Sequence, residues 1–143
     1  MTMHRRTLMG LLTMFMSSAA FAQNVSYPVN LSPPEAAKLV TEKKVILVDI
    51  RTPDEWRETG VAENAHKLDM NDPMFLAKLS ALTNGDRAKP VALICRTANR
   101  TRTVQQALLQ SGYATIINVE GGMVGNSADK GWLKHGLPVV KEQ

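Results

Sequence analysis

The stretch Pro90-Val91-Ala92-Leu93-Ile94-Cys95-Arg96-Thr97-Ala98-Asn99-Arg100-Thr101 passes from apolar to basic at the only cysteine in the chain. Pro90 to Ile94 is short, apolar and partly β-branched, the pattern of a buried strand. From Thr101 to Ser111, Val104, Ala107 and Leu108 recur at helical spacing, and Gly112 supplies a stop. Cys95 therefore sits where a strand gives way to a helix. Backbone N–H groups at a helix N-terminus lack intrahelical partners and carry partial positive charge. A loop wrapped there forms a ring of donors suited to an anion. Arg96 and Arg100 add two formal charges of the same sign. A helix terminus and neighbouring cations favour a thiolate over a thiol. The alternative is a small buried hydrophobe, the usual fate of a lone cysteine after an apolar strand. The two arginines, and the lack of apolar residues just after Cys95, decide for a nucleophilic sulfur that is open to reagents.

Working outward, Val45-Ile46-Leu47-Val48 is a second continuous apolar run, ending in Asp49-Ile50-Arg51, as expected of a strand buried on both faces of a parallel sheet. Ahead of it, Ser32-Pro33-Pro34-Glu35 has the cap, proline and acid of a helix start. After it, Pro53 to Glu58 reads as a short helix stopped by Gly60. Val25, Tyr27 and Val29 alternate in a short first strand, Ala65 to Met70 is another, and Asp72-Pro73 opens a helix through Leu82. Thr115 to Val119 is the last strand, Gly125 to Gly131 a surface loop, and Trp132 to Pro138 one more short helix before a polar tail. Strands alternating with helices predict an α/β fold, a small mostly parallel sheet with helices on both faces. Ligands in such sheets bind beyond the carboxyl ends of the strands. Cys95 falls at one such end and Asp49-Ile50-Arg51 at another.

The chain has 143 residues and a formal charge of +4. Arg5 and Arg6, the Leu- and Met-rich run from Leu8 to Phe15, and Ala20-Phe21-Ala22 form the three parts of a secretory signal peptide. Residues 1–22 are expected to be removed, leaving one domain over residues 23–143 with Gln23 first and a location in a bacterial periplasm. Loss of the two arginines lowers the charge to +2. The lysines are scattered without an aromatic-interleaved basic stripe, which argues against nucleic-acid binding. No membrane association is expected once the signal is removed. With a single cysteine, and His66 and His135 far apart, the sequence offers no metal-ligand spacing, and neither metal nor cofactor is expected.

With these residues in view, the chain resembles the rhodanese-like sulfurtransferase family from about Leu31 to Val140. Val48-Asp49-Ile50-Arg51-Thr52-Pro53-Asp54-Glu55-Trp56 is similar to the family's D-V-R-x-x-x-E-aromatic segment. Cys95 to Arg100 is similar to its C-x-x-x-x-R active-site loop, followed by Thr101. Gly121-Gly122, Gly131-Trp132 and Gly136-Leu137-Pro138-Val139 resemble its C-terminal ending. Two departures stand out. Gly60-Val61-Ala62-Glu63-Asn64-Ala65 keeps only the ends of the family's G-H-I-P-G-A, which flanks the site, and Ala98 stands where the loop often has Gly.

The resemblance implies that Cys95 takes a sulfane sulfur from a donor and carries it as a persulfide. The N–H groups of Arg96, Thr97, Ala98, Asn99 and Arg100 would hold that sulfur and the donor's charge. Arg96 would attract a small anionic donor such as thiosulfate, and Arg100 would close the loop against Asp49 or Glu55. Thr101 would cap the helix or bond the sulfur, with capping the safer expectation. Asp49, Arg51 and Glu55 would be supports, and Trp56 core. The acceptor would be a thiol, an acceptor protein, or cyanide in an assay. Two other functions share the fold: a sulfur carrier or binding module without turnover, and a phosphatase or arsenate reductase. The last is disfavoured because such enzymes have a longer loop.

Overall fold

The computed structural model describes residues 25–141. The expected signal peptide, residues 1–22, and the expected mature start at Gln23 lie outside the described residues. Five strands form one sheet in the order β1 (Asn30–Leu31), β6 (Ile116–Val119), β5 (Val91–Ile94), β2 (Ile46–Asp49), β4 (His66–Lys67), and every neighbouring pair is parallel. The helices between them are α1 (Pro33–Thr41), α2 (Pro53–Thr59), α3 (Phe75–Leu82) and α4 (Asn99–Gln110), and α5 (Gly131–Lys134) follows β6.

Alternation along the central strands divides the core in two. Leu47, Ala92, Ile94, Ile117 and Val119 pack with Ala36 and Val40 of α1 and Trp132 of α5. Val48, Val91, Leu93 and Ile116 face the other way, against Leu79 of α3 and Leu108 of α4. All four residues of β5 and of β6 are buried, which is why β5 reads as an unbroken apolar run and β6 as one broken only by Asn118. Among the described residues no helix is long and apolar enough to cross a membrane.

Several boundaries differ from expectation. The alternation of Val25, Tyr27 and Val29 does not make a strand, because pairing with β6 begins only at Asn30, and Val25 and Val29 stay exposed. β4 is only two residues long, though the Leu68 and Met70 amides go on to donate to the carbonyls of Asp49 and Ile50. Asp72 caps a turn through the Met74 amide, so α3 starts at Phe75. Helix α4 starts at Asn99 rather than Thr101.

The tail holds a strand that composition hides. β7 (Val139–Val140) pairs antiparallel with β3 (Val61–Ala62) in a separate two-stranded ribbon. Gly60 precedes it at φ +78, and a Cβ there would lie 2.8 Å from the Val140 carbonyl oxygen. The ribbon thus occupies the segment where the chain departs from the family's G-H-I-P-G-A.

Candidate active site

Cys95 follows the last residue of β5, and its loop meets α4 at Ala98. Three carbonyls of this loop are tied down by one segment. The Met123 amide donates to the Cys95 carbonyl at 2.9 Å, the Val124 amide to that of Arg96 at 3.0 Å, and Asn126 Nδ2 to that of Thr97 at 2.9 Å. A trans peptide sets its N–H antiparallel to its C=O. Holding these carbonyls turns the N–H groups of Arg96, Thr97 and Ala98 to the side of the loop away from residues 123–126. The N–H groups of Asn99, Arg100 and Thr101 belong to the first turn of α4 and have no intrahelical acceptor. The loop is therefore an arc of amide donors. Its support needs a glycine: at Gly122, φ +58, a Cβ would come within 2.5 Å of the Cys95 carbonyl oxygen.

Ala98 is the N-cap of α4, in the left-handed region at φ 69, ψ 8, and fully buried. For an alanine this costs about 1 kcal/mol. Thr101 is therefore inside the helix and does not cap it. Its Oγ1 lies 3.5 Å from Cys95 Sγ and donates to Asn118 Oδ1 at 2.5 Å, with Thr101 and Asn118 both fully buried. Asn99 is exposed and contributes through its backbone.

Both arginines are met by carboxylates of α2, whose Glu55 and Glu58 lie one helical turn apart. Arg100 forms a two-pronged bond to Glu55, Nη1 to Oε2 at 2.8 Å and Nη2 to Oε1 at 2.6 Å. Arg96 Nη1 reaches Glu58 Oε2 at 3.3 Å on the exposed rim. The loop's side-chain charges are thus balanced across the site. The guanidinium of Arg100 lowers the Glu55 carboxyl to about 2, helped by the Thr52 amide and hydroxyl. Arg100 in turn is held above the usual guanidinium range, first by its bond to Glu55, with smaller contributions from the nearby Cys95 and Asp49.

Asp49 does not receive Arg100. It is fully buried with Arg51, whose Nε and Nη2 both bond its carboxylate, at 2.9 Å and 2.7 Å. Arg51 continues to the Gly60 carbonyl, Thr59 Oγ1 and the Glu55 carbonyl, pinning the far end of α2 to the end of β2. Asp49 and Arg51 therefore act as scaffold, and through α2 they place Glu55. Trp56 is buried, with Lys67 over its ring at 5.7 Å from the centroid.

The sulfur is less open than the sequence suggests. Cys95 is 1% exposed, because it prolongs a buried central strand and packs with Val48, Ile50 and Leu93. It forms the floor of the loop, while Arg96, Thr97, Asn99 and Arg100 make a partly exposed rim. The sequence reading did not single out Asn118, Asn126 and Glu58. Asn118 announces itself as the one polar residue of an apolar strand, and Glu58 by its spacing from Glu55. Asn126 carries no local signal.

A family profile described as the Rhodanese-like domain matches residues 32–129. A sulfurtransferase of Allochromatium vinosum is 32% identical over 103 residues, 72% of this chain and 85% of the relative. The thiosulfate sulfurtransferase GlpE of Pseudomonas savastanoi pv. phaseolicola is 26% identical over 90 residues, 63% of this chain and 79% of its own. Among solved structures, the polysulfide-sulfur transferase homodimer of Wolinella succinogenes shares 36% identity at a TM-score of 0.61, covering 80% of each chain. Matched along most of its length, and carrying a cysteine loop at the carboxyl end of a parallel strand, the chain belongs to the rhodanese-like domain family.

Proposed function

We propose that the protein moves a sulfane sulfur from a small anionic donor such as thiosulfate to a thiol, or to cyanide in an assay, through a persulfide on Cys95. The observation that carries this reading is the arc of loop amides, with its carbonyls tied outward by residues 123–126, at whose base Cys95 lies.

The Cys95 thiolate attacks the outer sulfur of thiosulfate. A sulfur–sulfur bond forms to Cys95 as the bond to the sulfonate sulfur breaks, and sulfite leaves with the electron pair. The new terminal sulfur carries the negative charge. Amide donors already aimed at that charge stabilise it without reorganising, the logic of an oxyanion hole applied to sulfur. Cyanide or a thiolate then attacks the terminal sulfur, and Cys95 leaves as the thiolate. Arg96 receives the incoming anion by giving up its rim contact with Glu58, an exposed pair whose loss costs about 0.2–1 kcal/mol. Arg100 stays bonded to Glu55 and holds the loop against α2. The signal-like residues 1–22 support export and a periplasmic setting, where a partner protein could serve as the acceptor.

Steady-state turnover of thiosulfate with cyanide tests the proposal. Thiocyanate accumulating over many equivalents, and abolished in Cys95→Ser, is the expected result. A halt after about one equivalent would mark a carrier, and no thiocyanate would remove the proposed donor and acceptor chemistry.

A further inference from the structure

Cys95 ends a chain of hydrogen bonds that runs to the protein surface. Cys95 Sγ and Thr101 Oγ1 are 3.5 Å apart, Thr101 Oγ1 donates to Asn118 Oδ1, and Asn118 Nδ2 donates to Asn30 Oδ1 at 3.1 Å. The chain crosses from the floor of the loop through α4 and β6 to β1 at the sheet edge, where Asn30 is exposed. Thr101 has a single hydroxyl proton. Since that proton is committed to Asn118 Oδ1, the hydroxyl meets the sulfur with a lone pair. While that proton stays directed at Asn118, the sulfur can share a hydrogen bond with the hydroxyl only as the donor, in its thiol form. To ionise, Cys95 must lose its own proton to solvent. The Thr101 hydroxyl must then turn to the thiolate, leaving Asn118 Oδ1 without its donor in a fully buried place. The orientation of the Asn118 amide decides which way the hydroxyl points, and Asn30 holds that orientation.

We infer that Asn118, held by the exposed Asn30, is a positioning residue that turns the Thr101 hydroxyl away from Cys95 and so holds back ionisation of the resting sulfur. The inference rests on Cys95 being the reacting sulfur. Its test reads ionisation rather than transfer, so its failure is distinct from failure of the proposed reaction. The charged groups on the surrounding elements pair among themselves: Arg51 with Asp49, Arg100 with Glu55, Arg96 with Glu58 and Arg102 with Glu120. None is changed by the substitutions below.

The experiment is a pH titration of thiolate ultraviolet absorbance, with Cys95→Ser as the blank, in Asn30→Ala, Asn118→Leu and each of these combined with Thr101→Val. Asn30 is exposed on an edge strand, so Asn30→Ala keeps the test readable if the buried Asn118→Leu folds poorly. Freeing the hydroxyl to donate to sulfur adds one charge-assisted hydrogen bond. The thiolate-to-thiol ratio at a given pH is expected to rise about tenfold in both single variants. In the Thr101→Val background neither substitution changes the ratio. A ratio unchanged or lowered in Asn30→Ala would overturn the inference, and so would a rise that persists without the Thr101 hydroxyl.

Discussion

Ala98 holds its φ of 69 with a methyl group that glycine would not carry, at the point where the loop becomes α4. The conformation persists because both flanks are anchored: Asn126 holds the Thr97 carbonyl, and Arg100 is clamped to Glu55. Relieving the strain should stabilise the fold. Ala98→Gly is expected to raise the unfolding free energy by about 0.5–1 kcal/mol, after subtracting the extra backbone freedom glycine gains when unfolded. Urea unfolding would show this as a higher midpoint at unchanged slope. A midpoint equal to or below wild type would mean that the loop does not hold Ala98 left-handed in solution. The need for a left-handed residue here is legible only through the family's glycine, since nothing in Thr97-Ala98-Asn99 itself signals it. The role of Thr101 is legible in residue type but not in place. As a helix cap it needs only local sequence, whereas its actual partners, Cys95 and Asn118, come together through the sheet.

At the scale of elements, α2 gives the site its shape. Thr52, Pro53 and Glu55 form a capping box with proline in the first turn, the same arrangement that starts α1 at Ser32. In α2 the box has a second use, because the Glu55 carboxylate that accepts from Thr52 also receives Arg100. Glu55 is lowered from 4.5 to about 2 in the folded protein. A carboxyl lowered on folding contributes stability above its unfolded value and loses it as the pH falls toward its folded value. Wild-type protein should therefore lose stability between pH 4.5 and about 2. Glu55→Gln should be less stable than wild type at neutral pH, and the gap should close across that window. Urea unfolding at a series of pH values checks this, and a gap that stays constant into acid would contradict the Glu55–Arg100 bond as its source. The sequence marks Glu55 as a support and leaves Arg100 a choice between Glu55 and Asp49. Arg51 settles that choice. Buried beside Asp49, it needs the whole carboxylate, and separating such a pair costs about 3–5 kcal/mol.

Across the whole molecule, the pattern of apolar central runs alternating with capped helices is enough to read a parallel α/β sheet with the cysteine at a carboxyl end. Val91–Ile94 is buried throughout and Val45–Val48 at all but Ile46, so the composition of these two runs reports their place, whereas the equally buried Ile116–Val119 carries Asn118. The β3–β7 ribbon escaped notice because two-residue strands have no periodicity to detect, and their pairing spans nearly eighty residues of chain. The support of the loop by Met123, Val124 and Asn126 is hidden for a related reason, since it uses two backbone amides, which carry no side-chain signal, and one side chain from Gly125 to Gly131, which reads as plain surface loop. These distant contacts aim the amides of the loop, and the proposed sulfur chemistry depends on them. The most direct measurement is the intact mass of the protein after incubation with thiosulfate and removal of the excess. Wild type should gain the mass of one sulfur atom, cyanide should strip it, and Cys95→Ser should gain nothing. A wild-type mass left unchanged by thiosulfate would contradict the account.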